Sequence, residues 1–368
     1  MDFARDELQE MVGDLSKQIF RGLVTTESLD ALEKSGQWMH RAVWAALAQS
    51  ELLSAPLPES MGGMGCDIGA LAVLLEHAGR TVAPVPALET LVLGVLPLAH
   101  FGTPEQQARY LDGVGEGRTI LTAALTDAGS RLPLHPTTTA TGDTGTVRLT
   151  GVKRTVAYAD EADFILATAA TPSGTRLVIF AADDPGVSST AQTATNGQPL
   201  LDLALTNVSA EVIGGAAAPA WLLDRANVGM AALSLGVARQ ALIMTANYVS
   251  ERQQFGRPIG TFQAVSQRAA DAWMDVEAMD VSLMQAAWRL SAGVEVGASV
   301  ALARYWACEG GHRVVAAAQH LHGGTGFDRD YALYRFFLWS KRLEFGLGGG
   351  GAQLELIGRM IGDGMELG

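Results

Sequence analysis

Two short stretches carry the side chains best suited to hold a polyanion. In Glu251-Arg-Gln-Gln-Phe-Gly-Arg-Pro-Ile-Gly-Thr-Phe-Gln263, Arg252 can pair bidentately with a phosphate and Gln263 can hydrogen-bond a phosphate or hydroxyl oxygen. In His320-Leu-His-Gly-Gly-Thr-Gly-Phe327, glycines such as Gly323 and Gly324 let backbone amides approach a ligand closely. Taken alone, each has an ordinary reading: Arg252 as a solvated helix-end arginine, Phe255 as a core residue, His320 as a satisfied core histidine. A third stretch, Lys341-Arg-Leu-Glu-Phe-Gly-Leu-Gly-Gly349, places the carboxylate of Glu344 one helical turn before a glycine run. Glu344 is thus a candidate general base, and its ordinary reading is a charged group on a helix surface.

The elements that must position these groups follow from periodicity. From Asp2 to about Gly117, apolar residues recur at three and four, with Pro or Gly at the breaks, which predicts a helical domain over 1–117. Within it, Leu57-Pro-Glu-Ser-Met-Gly-Gly-Met-Gly65 reads as a loop. Over 118–222 the pattern changes to short β-like runs, Thr146–Thr150, Asp163–Ala167 and Arg176–Ala181, divided by Gly, Asp and Pro turns. Strands without intervening helices point to an antiparallel sheet or barrel. The helical period returns over 223–368. Its clearest stripe is Phe262, Val265, Ala269, Trp273, Val276, Met279, Leu283 and Leu290, about eight turns long. The Gly348–Gly351 run sits where a turn between two helices is needed.

Composition excludes several classes. Hydrophobic residues are 48% and charged residues 18%, a balance that opposes disorder and leaves apolar surface for subunit contacts. A formal net charge of -13 opposes nucleic-acid binding, which needs clustered Lys and Arg. Cys66 and Cys308 have neither disulfide-framework nor zinc spacing, and a reducing cytoplasm fits them. Met-Asp-Phe-Ala-Arg-Asp at the start lacks the pattern of an export signal. The longest apolar stretch, roughly Val228 to Ala246, is interrupted by Arg239 and Gln240 and reads as a buried helix instead of a membrane span. The expectation is a cytoplasmic protein with no nucleic-acid or membrane partner.

The stretch Glu251–Gln263 resembles the acyl-CoA dehydrogenase signature, in which Arg, Phe-Gly, Pro-Ile and Phe-Gln follow a long helix. His320–Phe327 resembles that family's glycine-rich turn between C-terminal helices, at a fitting distance from the first. Weaker agreements at Pro58–Gly65, Leu125-Thr-Asp127 and Gly151-Val-Lys153 extend the resemblance over nearly the whole chain. It implies a mainly α fold with a central β-domain: an N-terminal helical domain, an antiparallel barrel-like middle domain and a C-terminal four-helix bundle that mediates oligomerisation. It also implies that Arg252, Phe255 and Gln263, with the backbone around His320, Gly323 and Gly324, hold the ADP half of an FAD whose ring lies in the neighbouring subunit. At the place of His320 the family usually has Gln, and Gln319 stands one position earlier.

The reaction implied is α,β-dehydrogenation of an acyl-CoA thioester, with a carboxylate removing the α-proton and electron-transfer flavoprotein as the electron acceptor. The residue matching the usual Glu is Gly348, and the residue matching the base of a minority of members is Ala226. The aromatic and hydroxyl residues that line the flavin ring are replaced in Lys153-Arg-Thr-Val-Ala157, where Thr155 and Ala157 supply neither stack nor hydrogen bond. Two further family elements appear only as Thr126-Asp-Ala128 and Gly129-Ser-Arg131. This resembles the non-catalytic subunit of an α2β2 heterotetramer that carries two FAD, similar to the paired dehydrogenases of actinobacterial steroid degradation. The expected partner is a homologous subunit, and the expected substrate a CoA-linked sterol side chain. The alternatives are a self-sufficient homotetramer using Glu344 or another carboxylate, and a flavin-free scaffold.

Overall fold

The computed structural model describes residues 4–130 and 132–364, so Arg131 lies outside the described residues. The N-terminal region is helical: α1 (Glu7–Leu23), α2 (Thr26–Ser35), α3 (Arg41–Gln49) and α4 (Ile68–Thr81) are followed by a π-helical run, Leu88–Val95, that continues into α5 (Leu96–Phe101) and then α6 (Pro104–Tyr110). Local chemistry sets the ends. Asp6 caps α1 by accepting from the Gln9 amide at 2.8 Å, and Thr103 and Gln106 form a reciprocal capping box on α6. The loop expected at 57–65 is present, with a short 3-10 turn at Glu59–Met61. Gly63 is required there, because a Cβ would lie 2.0 Å from the Leu57 carbonyl oxygen.

Strands begin at Leu121: β1 (Leu121–Ala124), β2 (Thr139–Ala140), β3 (Thr146–Ala157), β4 (Phe164–Thr171), β5 (Gly174–Ala181), β6 (Val187–Thr193) and β7 (Pro199–Ile213). The pairings β4–β2–β3–β7–β5–β4 return on themselves, so five strands form a closed ring, with β1 added on β4 and β6 on β7. Closure removes the free edges that an open sheet would expose. Most pairs are antiparallel, as expected, but β1 and β2 run parallel to β4. The run expected at Thr146–Thr150 continues to Ala157, passing Gly151, where a Cβ would lie 2.5 Å from the Thr138 hydroxyl. The ring is filled by Val147, Leu149, Ile165, Val178, Phe180, Leu203, Leu205 and Val208.

Helix resumes with α7 (Ala218–Glu251), then a hairpin of β8 (Gln253–Gln254) and β9 (Arg257–Pro258), α8 (Gln263–Ser291), α9 (Ser299–His322), α10 (Leu333–Glu344) and α11 (Gly349–Gly362). By length and composition α7 could cross a membrane, but 78% of its most apolar window is buried within the protein, as in a core helix. The stripe expected along α8 buries only its later part: Val276, Met279, Leu283 and Leu290 are inside, whereas Trp273 is 59% exposed. Periodicity marks an apolar face without saying what covers it.

Among the described residues the chain forms two compact units, one of Met1–Ala31, Ala72–Ala83 and Asn227–Gly368, the other of Leu32–Leu71 and Pro84–Ala226. In the first, backbones meet directly. A Cβ on Gly236 would stand 2.0 Å from the Glu76 carbonyl oxygen, and one on Gly79 would stand 2.2 Å from that of Leu233. The buried Glu76 carboxylate gathers Arg80 at 2.7 Å, Arg239 at 2.5 Å and Arg5 at 3.5 Å.

Candidate functional site

The arginine-bearing stretch is built by a tight hairpin at the end of α7. The Arg252 amide donates to the Tyr248 carbonyl at 2.8 Å, finishing the helix, and the Ile259 amide donates back to the Arg252 carbonyl at 2.8 Å. Between them, Phe255 (φ 54°) and Gly256 (φ 78°) are both left-handed, the pair of angles that a two-residue type I′ turn needs. This turn throws the Phe255 side chain outward, 93% exposed, against the core placement it has as an isolated phenylalanine. The Arg257 guanidinium lies over the Phe262 ring at 4.3 Å, which fixes the base of the hairpin. Arg252 and Gln263 are exposed, and among the described residues the Arg252 guanidinium has no internal partner.

The glycine-rich stretch ends α9. Gly323 leaves the helix at φ 59°, and a Cβ on Gly323 or Gly324 would meet nothing within 4 Å, so this backbone is open to a ligand. His320 is exposed on the last turn of α9. Gln319, one position earlier, is buried and donates to the Gly326 carbonyl at 3.1 Å. A one-residue offset rotates a side chain by about 100° on a helix, which is why the outward place falls to His320. The two stretches are tied through Tyr248, whose ring stacks on that of His322 at 4.2 Å and whose hydroxyl donates to the His322 carbonyl at 3.4 Å. Arg252, Phe255, Gln263, His320, Gly323 and Gly324 thus all belong to exposed segments, and Tyr248 links the hairpin to the glycine turn. An unpaired guanidinium, an amide side chain and an exposed glycine turn with room beside its backbone suit the pyrophosphate and ribose of a nucleotide, although the Gly323 amide itself donates to the His320 carbonyl.

The Lys153–Ala157 stretch, expected to stand where the family lines its flavin ring, is bonded within the β-domain. Lys153 and Asp127 form a fully buried ion pair at 2.6 Å; Lys153 also donates to the Thr168 carbonyl at 2.6 Å, and the Thr138 amide donates to Asp127 at 3.0 Å. Burial pulls the Lys153 ammonium down, and Asp127 pulls it back up without cancelling the effect. Thr155 is left-handed at φ 52°, and its amide donates to Asp202 at 2.9 Å, while Arg154 pairs with the same carboxylate at 2.5 Å. The Ala157 carbonyl accepts from the Thr122 hydroxyl at 2.7 Å. These contacts engage the Thr155 amide and the Ala157 carbonyl within the β-domain.

Around Gly348 the carboxylates are Glu344 and Glu309, whose Oε1 would lie 3.1 Å from a Cβ on Gly350. Glu344 accepts from Lys341 at 2.7 Å and lies 3.3 Å from His312 Nδ1, which makes it part of a charged cluster at the end of α10. The following turn is glycine-shaped, with Leu347 at φ 52°, Gly348 at 92° and Gly349 at 67°. It is pinned from beneath by Arg304, 0% exposed, whose Nη2 donates to the Leu343 carbonyl at 2.6 Å and the Gly346 carbonyl at 2.8 Å. Ala226 is buried. Asp224, two residues before it, is the carboxylate that burial pushes up to about 6 despite the adjacent Arg225. Two residues turn a helix by about 200°, so Asp224 faces away from the direction of Ala226. An Asp-Arg pair near a helix start gave no signal of this burial. Among the described residues, no group of three or more His, Cys, Asp and Glu is arranged to hold a metal ion.

Comparison with known proteins places the chain in a family. Residues 6–118 match the acyl-CoA dehydrogenase N-terminal domain and residues 214–362 the C-terminal domain. The acyl-CoA dehydrogenase FadE27 of Mycobacterium tuberculosis is 38% identical over 374 residues, spanning 99% of both chains. In the ChsE4-ChsE5 complex from Mycobacterium tuberculosis, one chain superposes with a TM-score of 0.94 at 38% identity, covering 100% of each. A variant of the Tcur3481-Tcur3483 steroid ACAD gives a TM-score of 0.93 at 42% identity, covering 97% of this chain and 98% of that one. Helical regions on either side of a closed ring of strands, two matching domain families and a relative 38% identical over 99% of both chains agree: the chain belongs to the acyl-CoA dehydrogenase family.

Proposed function

We propose that this chain is the non-catalytic subunit of a hetero-oligomeric, FAD-dependent acyl-CoA dehydrogenase. It offers Arg252, Phe255, Gln263 and the His320–Gly324 backbone to the ADP half of a flavin whose ring is held by a homologous partner, and the partner supplies the catalytic Glu. Bound FAD would supply the hydride acceptor for the substrate's β-hydrogen. This chain's residues would neutralise and orient the pyrophosphate.

The observation that carries the proposal is an asymmetry. The Arg252 and Gln263 side chains are exposed and uncommitted, whereas the Thr155 amide and the Ala157 carbonyl, where a flavin ring would need partners, are already bonded to Asp202 and Thr122. The two-component names of the ChsE4-ChsE5 complex and the Tcur3481-Tcur3483 steroid ACAD support a heteromeric assembly, and the second supports a CoA-linked steroid side chain as substrate. Electron-transfer flavoprotein is the electron acceptor this reading implies.

Co-expression with a homologous dehydrogenase subunit tests it. The expected complex holds one FAD per two chains and loses it on Arg252→Ala. Stoichiometric FAD and dehydrogenase turnover in this chain purified alone would overturn the proposal. The tie of Glu344 to Lys341 disfavours the self-sufficient alternative, in which Glu344→Ala abolishes flavin reduction by substrate.

A further inference from the structure

Between the Arg252 hairpin and the glycine turn lies a cluster of rings that faces no ligand. His322 is 3% exposed, and its Nδ1 stands 2.8 Å from the Ala318 carbonyl oxygen. A carbonyl only accepts, so Nδ1 carries a hydrogen. In the neutral ring Nε2 is then a lone pair, and it accepts from the Tyr331 hydroxyl at 3.2 Å. On its flat face the imidazole stacks on Tyr248, with an interplanar angle of 23°. The Tyr248 hydroxyl also lies 3.5 Å from Thr325 Oγ1, inside the glycine turn, and the Tyr248 carbonyl receives the Arg252 amide. One unbroken path of contacts therefore runs from Arg252 through Tyr248 and His322 to Gly323–Thr325.

We propose that His322 is a positioning residue for the nucleotide half of the FAD site: its neutral imidazole, clamped by Tyr248 and Tyr331, holds the Gly323–Gly326 turn in register with Arg252. The inference rests on the shared-flavin reading above. Protonation would place a charge in a buried site and turn the Tyr331 hydroxyl from donor to acceptor, loosening the turn. The titratable groups around the ring are Tyr248 and Glu251 from α7, Tyr331 from the segment after the turn and, exposed on α9 itself, His320. Burial holds the His322 imidazole below the usual histidine range, and its bond to the Ala318 carbonyl only partly offsets this.

The test is release of FAD from the co-purified complex, followed by flavin fluorescence from pH 8 to pH 5. Wild type is expected to release FAD along a one-proton curve with its midpoint below the ordinary histidine value. His322→Phe preserves the stack but neither hydrogen bond, so it should hold FAD about tenfold more weakly at pH 8, with that curve abolished. Tyr331→Phe, a milder change that keeps the fold if the first variant does not, removes the donor to the neutral ring and should move the midpoint upward. An unchanged pH curve in His322→Phe, or in Tyr331→Phe where only that variant folds, overturns the inference. Arg252→Ala separates the two claims: FAD retained there defeats the shared-site reading, whereas FAD lost there with His322→Phe unaffected defeats the positioning role alone.

Discussion

Asp202 on β7 receives the backbone amide of Thr155 on β3 at 2.9 Å, and so holds a threonine in a left-handed conformation that threonine resists. The register of β3 against β7 skips between Lys153 and Val156, and the carboxylate fills the gap that this bulge opens. The same Asp202 binds Arg154 at 2.5 Å and Gln192 at 3.3 Å. Asp202→Ala removes three partners and leaves the Thr155 amide unmet, with an expected loss of about 1–3 kcal/mol. Urea unfolding checks it: the midpoint should fall with an unchanged slope.

The Lys153–Asp127 pair yields a sharper contrast. Both side chains are buried, so Lys153→Met leaves an uncompensated carboxylate inside the ring of strands and should cost about 3–5 kcal/mol. Replacing both, Lys153→Met with Asp127→Leu, should recover part of this but not all, because the Thr138 amide at 3.0 Å then loses its acceptor. If the double variant is no more stable than Lys153→Met alone, the ion-pair account of this core is wrong.

Much of this architecture is legible in residue order because it depends on local pattern. The change from a period near 3.6 to short alternating runs and back locates the helical and strand regions, and Gly62, Gly63 and Gly65 mark their loop directly. The Phe255-Gly256 turn is also local. What is hidden depends on pairings between distant residues. Nothing near Thr155 indicates that Asp202 will lie beside it, since that requires the β3–β7 register. The orientation of His320 against Gln319 depends on the rotation of α9, and the exposure of Trp273 on what covers α8. Periodicity alone carries none of these.

Stability should weaken toward acid pH through His77 on α4. Burial, reinforced by Arg80, Arg5 and Arg21 and opposed by Glu76, lowers its pKa from 6.5 to about 4. The folded state thus prefers the neutral ring, and the unfolded chain takes up the proton first. Its contribution is present above pH 6.5 and lost as pH falls toward 4. The ring is half-buried, so solvent screening limits the effect to about 1–2 kcal/mol. His77→Gln should flatten that part of the stability profile, measured by urea midpoints at fixed ionic strength. A variant profile as steep as the wild type's would place the acid sensitivity elsewhere.

Placing a carboxylate at Gly348, the position expected from the resemblance to match the family's base, should not create one. Gly348 sits at φ 92°, between Leu347 at 52° and Gly349 at 67°, so Gly348→Glu forces a side chain into a left-handed backbone at a cost of about 1–2 kcal/mol. The turn has little freedom to relax. Arg304 holds the Leu343 and Gly346 carbonyls at 2.6 and 2.8 Å, which ties the turn to α9. A Glu at this position would also leave the Thr155 amide and the Ala157 carbonyl of β3 engaged as they are. The expected outcome for Gly348→Glu purified alone is a lower urea midpoint and no bleaching of flavin absorbance on anaerobic addition of acyl-CoA. Bleaching stoichiometric with this chain would mean that its own β-domain accepts a flavin ring, and the division of labour between subunits would have to be abandoned.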